Sequence, residues 1–224
     1  HLTHDITPYN IFEGSYRLFQ TVEYWPEGTT FVSVVDPGVG SKRRSVVALT
    51  EKNQYIVTPD NGTLSFIKQH VGIKAVREIS EVANRRANTE HSYTFHGRDV
   101  YAYTGAKLAS GHIPFEEVGP LLKVEDIVEI PTVATEVGSD FVKGAIDILD
   151  VRFGSLWTSI TREEFYSLQP AFGDRFEVTI FNNDMLVYQN QVTYGKSFAD
   201  VRIGQPLIYI NSLYRVGVAI NQGS

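Results

Sequence analysis

The chain contains no cysteine among its 224 residues. That removes disulfides, thiolate metal sites and thiol nucleophiles together, and it fits a cytoplasmic protein. There is no excess of positive charge either: the formal net charge is −6. A nucleic-acid partner is therefore not expected, because phosphate affinity needs a basic surface. No apolar run approaches the roughly 18 to 20 residues that a membrane span requires. No secretory n-region and h-region are visible, although the first residue is His1 and not Met. The six histidines show neither HExxH nor comparable ligand spacing, so no metal is expected. Low-complexity tracts and internal repeats are absent too.

What remains is an ordinary globular composition, 42% hydrophobic and 21% charged, long enough for one large domain or two modest ones. Residues 7–25 read as an amphipathic helix, with Thr7 as the cap and Pro8 at the first helical position. Strand patterns follow at "TFVSVV", "SVVALT", "QYIVTP" and "IKAVREI", interrupted by a helix at "TLSFIKQHVG" and another at "GRDVYAYTGAKLASG". The first strand is too apolar to alternate, as a parallel strand covered on both faces would be. This alternation predicts an α/β domain over 1–125, with a mostly parallel sheet and flanking helices. A linker over 126–140 leads to short strands over 141–224, read as a small antiparallel β-barrel or sandwich with one helix at "TREEFYSL".

Four stretches carry candidate chemistry. In "FVSVVDPGVGSKRR" an apolar strand delivers Asp36 to a glycine-rich bend followed by Arg43 and Arg44. Ligands of open α/β sheets gather at such strand ends, while the plainer reading is an aspartate capping a turn. The frame is not that of a Walker loop, so a phosphate cradle is poorly supported. In "YTFHGRDV", His96, Arg98 and Asp99 gather where a loop enters a helix, and capping by Asp99 is the plainer reading. In "DVRFGSLWTSI", Asp150, Phe153 and Trp157 flank a glycine and serines; aromatics beside a carboxylate suit a flat heterocycle with a cationic tail, and core packing is the alternative. Asn211 and Ser212 interrupt two apolar strands and, alone, mark only a turn.

Taken in order, "THDITPYNIFEGSY", "VVDPGVGSKRRSV", "TPDNGTL", "TFHGRDV", "DVRFGSLWTSI" and "INSLYRVGVAIN" resemble the S-adenosyl-L-methionine (SAM) hydroxide adenosyltransferases, the SAM hydrolases related to fluorinase and chlorinase. The resemblance spans nearly the whole chain. It implies an α/β domain followed by a β-barrel, and a homotrimer with SAM bound between subunits. SAM is then the substrate, no cofactor is needed, and adenosine and L-methionine are the products. The family's catalytic Asp-Arg-His set falls on Asp36, Arg43 and His96, with Arg44 competing for the arginine role. Binding positions fall on Tyr9 beside the ribose and adenosine, on Asp150 for the methionine amino group, and on Phe153 and Trp157 along the ligand. Ser212, with Asn211 beside it, falls at the methionine end.

Halogenating relatives carry a tyrosine at the position of Asp36 and, in the fluorinase, a serine at that of Gly97, which points here to water as the nucleophile. Three departures stand out. The chain opens after the family's first strand and its "TDFG…D" motif. Ser155 and Ser159 replace asparagines, which removes an amide able to read an adenine edge. Leu213 stands where the fluorinase has an arginine. A catalytically weak SAM- or adenosine-binding module, and less so a halogenase, are the competing expectations.

Overall fold

The structure, a computed structural model, describes residues 1–223 and divides into two compact units, His1–Pro131 and Thr132–Ser224. The break falls inside the segment that reads as a linker.

In the first unit, helix α1 (Ile11–Val22) precedes strands β1 (Thr30–Val32), β2 (Ser45–Thr50) and β3 (Tyr55–Pro59). Helix α2 (Ser65–His70) leads to β4 (Ile73–Glu78), and the short α3 (Glu81–Asn84) follows. A π-helical turn at Gly97–Ala102 runs directly into α4 (Tyr103–Ala109), and β5 (Leu121–Leu122) completes the unit's strands. α1 does not start at Pro8. Its cap is Asn10, whose Oδ1 accepts the Glu13 amide at 3.0 Å, and Tyr9 just before it holds a left-handed φ of 68°.

The sheet order is β1-β3-β2-β4-β5, and here the expectation of a mostly parallel sheet fails. Only β1 and β3 pair parallel; β2–β3, β2–β4 and β4–β5 are antiparallel. The reason is a tight connection: Gln54 donates back to Thr50 Oγ1 at 3.2 Å, and so short a link can join only antiparallel neighbours. The helical crossover from β3 to β4 does return parallel, but β2 lies between its two strands. Val46, Val47, Ala48, Ile56 and Val57 are fully buried, so the central strands are covered on both faces despite their mixed direction. On one face Val47 and Val57 pack with Val100, Tyr101 and Leu108 from the helix that follows His96. α4 lies so close to β1 that a Cβ on Gly105 would stand 2.6 Å from the Val32 side chain.

The second unit holds a small hairpin, β6 (Glu136–Val137) with β7 (Val142–Lys143), then β8 (Ile146–Asp150), β9 (Ser155–Thr161), helix α5 (Arg162–Tyr166), β10 (Arg175–Asn182), β11 (Met185–Tyr194), β12 (Pro206–Ile210) and β13 (Arg215–Ile220). α5 opens with a capping box between Thr161 and Glu164. Six of these strands form one sheet in the order β10-β11-β12-β13-β9-β8. Among the described residues no pairing joins β8 to β10, so the sheet is open and the expected closed barrel is not present. One pair, β11–β12, is parallel; the others are antiparallel. Phe165 from α5 fills the core with Val192, Tyr194, Ile208 and Val216.

Candidate active site

After β1 the chain makes two consecutive turns, Val39 N–H to Asp36 O at 3.3 Å and Ser41 N–H to Gly38 O at 3.0 Å, and so brings Arg43 back to Asp36. Space is tight inside this bend. A Cβ on Gly38 would touch both Ser41 and Arg43, and Gly40 adopts a φ of 79° against the Tyr93 carbonyl. Arg43 Nε donates to both Asp36 oxygens at 2.9 and 3.0 Å, and Nη2 adds a further bond to Oδ2. Arg43 Nη1 donates to Ser45 Oγ at 2.9 Å, and Ser45 donates to Tyr101 Oη at 3.2 Å. The Tyr101 ring lies beneath the guanidinium, 5.5 Å from centroid to Cζ. Both charged side chains are nearly enclosed, at 10% and 6% exposure.

His96, at the mouth of the π-helical turn, places Nδ1 3.2 Å from Arg43 Nη2. On its other side Nε2 lies 3.1 Å from Arg85 Nη2, and Arg85 is held by Glu81 at 2.9 Å. Burial pushes the His96 pKa down, and the neighbouring Arg43 and Arg85 push it further against the pull of Glu81 and Asp36. The ring is neutral at pH 7. Burial also works against the charge of Arg43, yet its bond to Asp36 and the neighbouring Tyr101 and Glu81 outweigh that, so its pKa stands above the ordinary arginine value. Tyr101 is raised by burial and stays protonated.

The adjacent arginine is placed elsewhere. Arg44 bonds Asp60 at 2.5 and 2.9 Å and the Asp126 carbonyl at 2.5 Å, while Asp60 accepts the Val128 amide. Arg43 therefore faces His96, and Arg44 ties Asp60 to the 126–128 segment. Asp99 is fully buried, but it is consumed by Arg98, which holds its carboxyl below the usual range. Gly97 has free space around it: an added Cβ would meet only Val34, at an ordinary 3.5 Å. Tyr9 is 79% exposed. A groove of about 250 Å³ beside β1, lined by Leu2, His4, Arg17, Phe31, Val32 and Val34 among others, does not include the Asp36 cluster.

In the second unit Ser155 Oγ and Trp157 Nε1 meet on Tyr209 Oη, at 2.7 and 3.1 Å. Tyr209 pairs across the strands with Gly217, where any Cβ would fall 2.6 Å from the tyrosine ring. The glycine thus lets the ring lie across the sheet. Sequence reading passed over Tyr209; its signal was the Tyr and Gly facing each other on two adjacent apolar strands. Arg85 was passed over too, although the "RR" at 85–86 is a cation doublet like the one at 43–44. Asn211 closes the β12–β13 turn, its Oδ1 accepting from Leu213 and Arg215 at 2.9 and 3.1 Å, and Ser212 is exposed. Phe153 is 68% exposed in the β8–β9 turn.

The strand register separates these groups. Asp150 pairs with Ser155, and Ser155 with Ala219, whereas the 211–214 turn adjoins Arg215, which faces Thr161. Six residues of strand put about 20 Å between Asp150 and Ser212.

Among the described residues no group of three or more His, Asp or Glu is arranged to hold a metal, and no helix is long and apolar enough to cross a membrane.

Comparison with known proteins gives a consistent result. Residues 1–119 match the family model of the SAM hydroxide adenosyltransferase N-terminal domain, and residues 144–224 match that of the C-terminal domain. A (R)-S-adenosyl-L-methionine hydrolase of Thermus thermophilus is 32% identical over the full chain and 80% of its own length. A similarly named hydrolase of Methanocaldococcus jannaschii is 34% identical over 73% of the chain, an alignment covering 54% of that protein. A fluorinase of Actinopolyspora mzabensis is 27% identical over 99% of the chain and 80% of its length. A solved structure of an uncharacterized conserved protein from Thermotoga maritima superposes with a TM-score of 0.90 at 31% identity, covering all of this chain and 81% of that one.

Proposed function

This chain belongs to the SAM hydroxide adenosyltransferase family, and on that premise we propose that it splits SAM with water into adenosine and L-methionine. The observation that carries the reading is the enclosed Asp36–Arg43–His96 cluster at a strand end.

The reaction breaks the C5′–S bond of the sulfonium, with the electron pair going to sulfur, and forms C5′–O from water, whose proton is released. Methionine leaves neutral at sulfur and needs no general acid. Catalysis reduces to alignment and to making water nucleophilic. A free hydroxide at pH 7 costs about 12 kcal/mol, since bulk water has a pKa of 15.7. One arginine about 4 Å away returns roughly 4 kcal/mol at an effective dielectric near 20. Arg43 offers less than that, because Asp36 already balances its charge. The proposed nucleophile is therefore water that loses its proton to Asp36 or His96 as the bond forms. Arg43 fixes the carboxylate. A carboxylate at this position also repels halide ions, which supports water over halide.

Tyr9 is proposed to serve the ribose and adenosine, Phe153 and Trp157 to lie along the ligand with Gly97 and Ser155, and Asp150, Asn211 and Ser212 to serve the methionine end. Tyr9 and Phe153 are largely exposed in a single chain, which supports a homotrimer with SAM between subunits. The reading also keeps the enzyme cytoplasmic.

Incubation with SAM in chloride buffer, followed by chromatography, tests the function. Adenosine and methionine are expected. Saturable SAM binding without product would leave a binding module, and 5′-chloro-5′-deoxyadenosine would make it a halogenase. Light scattering on the purified chain tests the trimer.

A further inference from the structure

The strand end that delivers Asp36 is held by a residue that the proposed chemistry does not use. Between β1 and β3 the rungs follow the parallel alternation: the Tyr55 amide donates to the Thr29 carbonyl at 2.9 Å and the Ser33 amide to the Val57 carbonyl at 3.0 Å. The next rung needs a donor from residue 59 onto the Ser33 carbonyl, but that residue is Pro59 and has no N–H. The regular ladder therefore stops before Asp36 is reached. One step farther along, the donor would be the Asn61 backbone amide onto the Val35 carbonyl. Asn61 supplies its side chain there instead: Nδ2 donates to the Val35 carbonyl at 2.8 Å. That amide is itself fixed, because its Oδ1 accepts from the fully buried Thr63, at 2.8 Å from the hydroxyl and 3.3 Å from the backbone N–H. Val35 is also wedged against α1, where a Cβ on Gly14 would stand 2.9 Å from its side chain. Asp60 closes the other end of the bend, its amide donating to the Arg44 carbonyl at 2.9 Å. Two consecutive residues thus hold the chain on both sides of the Asp36–Arg43 contact.

We infer that Asn61 is a positioning residue: its side-chain amide restores a rung beyond Pro59 and, by fixing the Val35–Asp36 peptide, aims the Asp36 carboxylate at Arg43. Arg43 holds the carboxylate from its outer end and Asn61 holds it through the backbone. The stretch "TPDNG" thereby gains a role that is not a ligand contact. The placement of Asp36 stands by itself; its effect on turnover rests on the proposed hydrolysis.

Nitrogen NMR of the arginine side chains in the full chain reads the placement without any turnover. Arg43 Nε–H, bonded to both Asp36 oxygens, should exchange slowly with solvent in the wild type. Asn61→Leu should speed that exchange by about tenfold or more, as local opening does. With SAM, kcat should fall by about 10- to 10²-fold, the range of a small misplacement of a reacting group, while SAM Kd stays within about threefold. Thr63→Val removes a hydroxyl bond from the same turn but leaves Nδ2 on Val35, so it should lower stability and keep both the slow exchange and kcat. In an Asp36→Asn background Asn61→Leu should cost nothing further, because a residue that acts through Asp36 has nothing left to position. If Asn61→Leu does not fold, Asn61→Asp is read in the same way, since it keeps both Thr63 bonds and loses only the donor. Unchanged Arg43 exchange in the Asn61 variant, or an undiminished kcat loss on top of Asp36→Asn, overturns the inference. The expected exchange behaviour in a chain that does not cleave SAM would overturn the proposed function and leave the inference standing.

Discussion

The two units hold their polar groups in opposite ways. In the first, Asp36, Arg43, Ser45, Tyr101, His96, Arg85 and Glu81 form one connected, mostly enclosed network. In the second, the candidate groups are scattered: Ser155 and Trp157 meet on Tyr209, Phe153 stands exposed, and Ser212 lies at the far end of the strands. Reacting groups must be held in place before the substrate arrives, because reorganising them during reaction raises the barrier. Groups that recognise a substrate can instead complete their contacts on binding. On the proposed function chemistry belongs to the first unit and recognition to the second, and variants should divide accordingly.

The largest break should come at Asp36. Asp36→Asn is expected to lower kcat by about 10²- to 10⁴-fold, the span of a lost general base. SAM affinity by calorimetry should change little; lost binding with turnover intact would reverse the assignment. Arg43→Met leaves Asp36 enclosed without its partner and should cost about 3–5 kcal/mol in urea unfolding. Arg44→Met should also destabilise, through Asp60, yet activity per folded molecule should survive, because Arg44 takes no part in the cluster.

The second unit supplies a contrast that is purely one of stability. Asp147 Oδ2 is buried with no hydrogen-bond partner, and burial, opposed in part by Arg215, pushes its carboxyl up to about 6. A raised acid means that the unfolded chain holds fewer protons between about pH 4 and 6, so folding loses stability as pH rises through that window. Asp147→Asn should therefore gain up to about 3 kcal/mol at pH 8 and nothing below pH 4. Unfolding at the two pH values checks this; an equal gain at both would refute the titration. The smallest effect is expected at Tyr209→Phe, which removes one hydroxyl shared by Ser155 and Trp157. Stability should fall by about 1 kcal/mol, with SAM Kd rising several-fold and kcat nearly kept. A kcat loss as large as that at Asp36 would erase the distinction between the units.

Much of this was legible in the residues. The strands over 45–50, 55–59 and 73–78 and the helix at 65–70 follow directly from apolar runs closed by turn residues. Their pairing direction was not legible, because a covered antiparallel strand is as uniformly apolar as a parallel one, and only the short link after Thr50 tells them apart. Barrel closure failed for a related reason: strand patterns do not reveal whether the edge strands meet. At the site, Asp36, Arg43 and His96 were visible as motif residues, but the choice between Arg43 and Arg44 depends on which way a two-turn bend rotates each side chain. Arg85 and Tyr209 act through contacts 11 and 54 residues away in sequence, to His96 and Ser155, and no local pattern encodes such a distance.

The central claim is that water attacks C5′ of SAM at the Asp36 cluster. Turnover of SAM in ¹⁸O-water, with mass spectrometry of both products, tests it most directly. The account predicts one ¹⁸O in the 5′-hydroxyl of adenosine and none in methionine. Unlabelled adenosine, or cleavage that leaves sulfur attached to C5′, would contradict it.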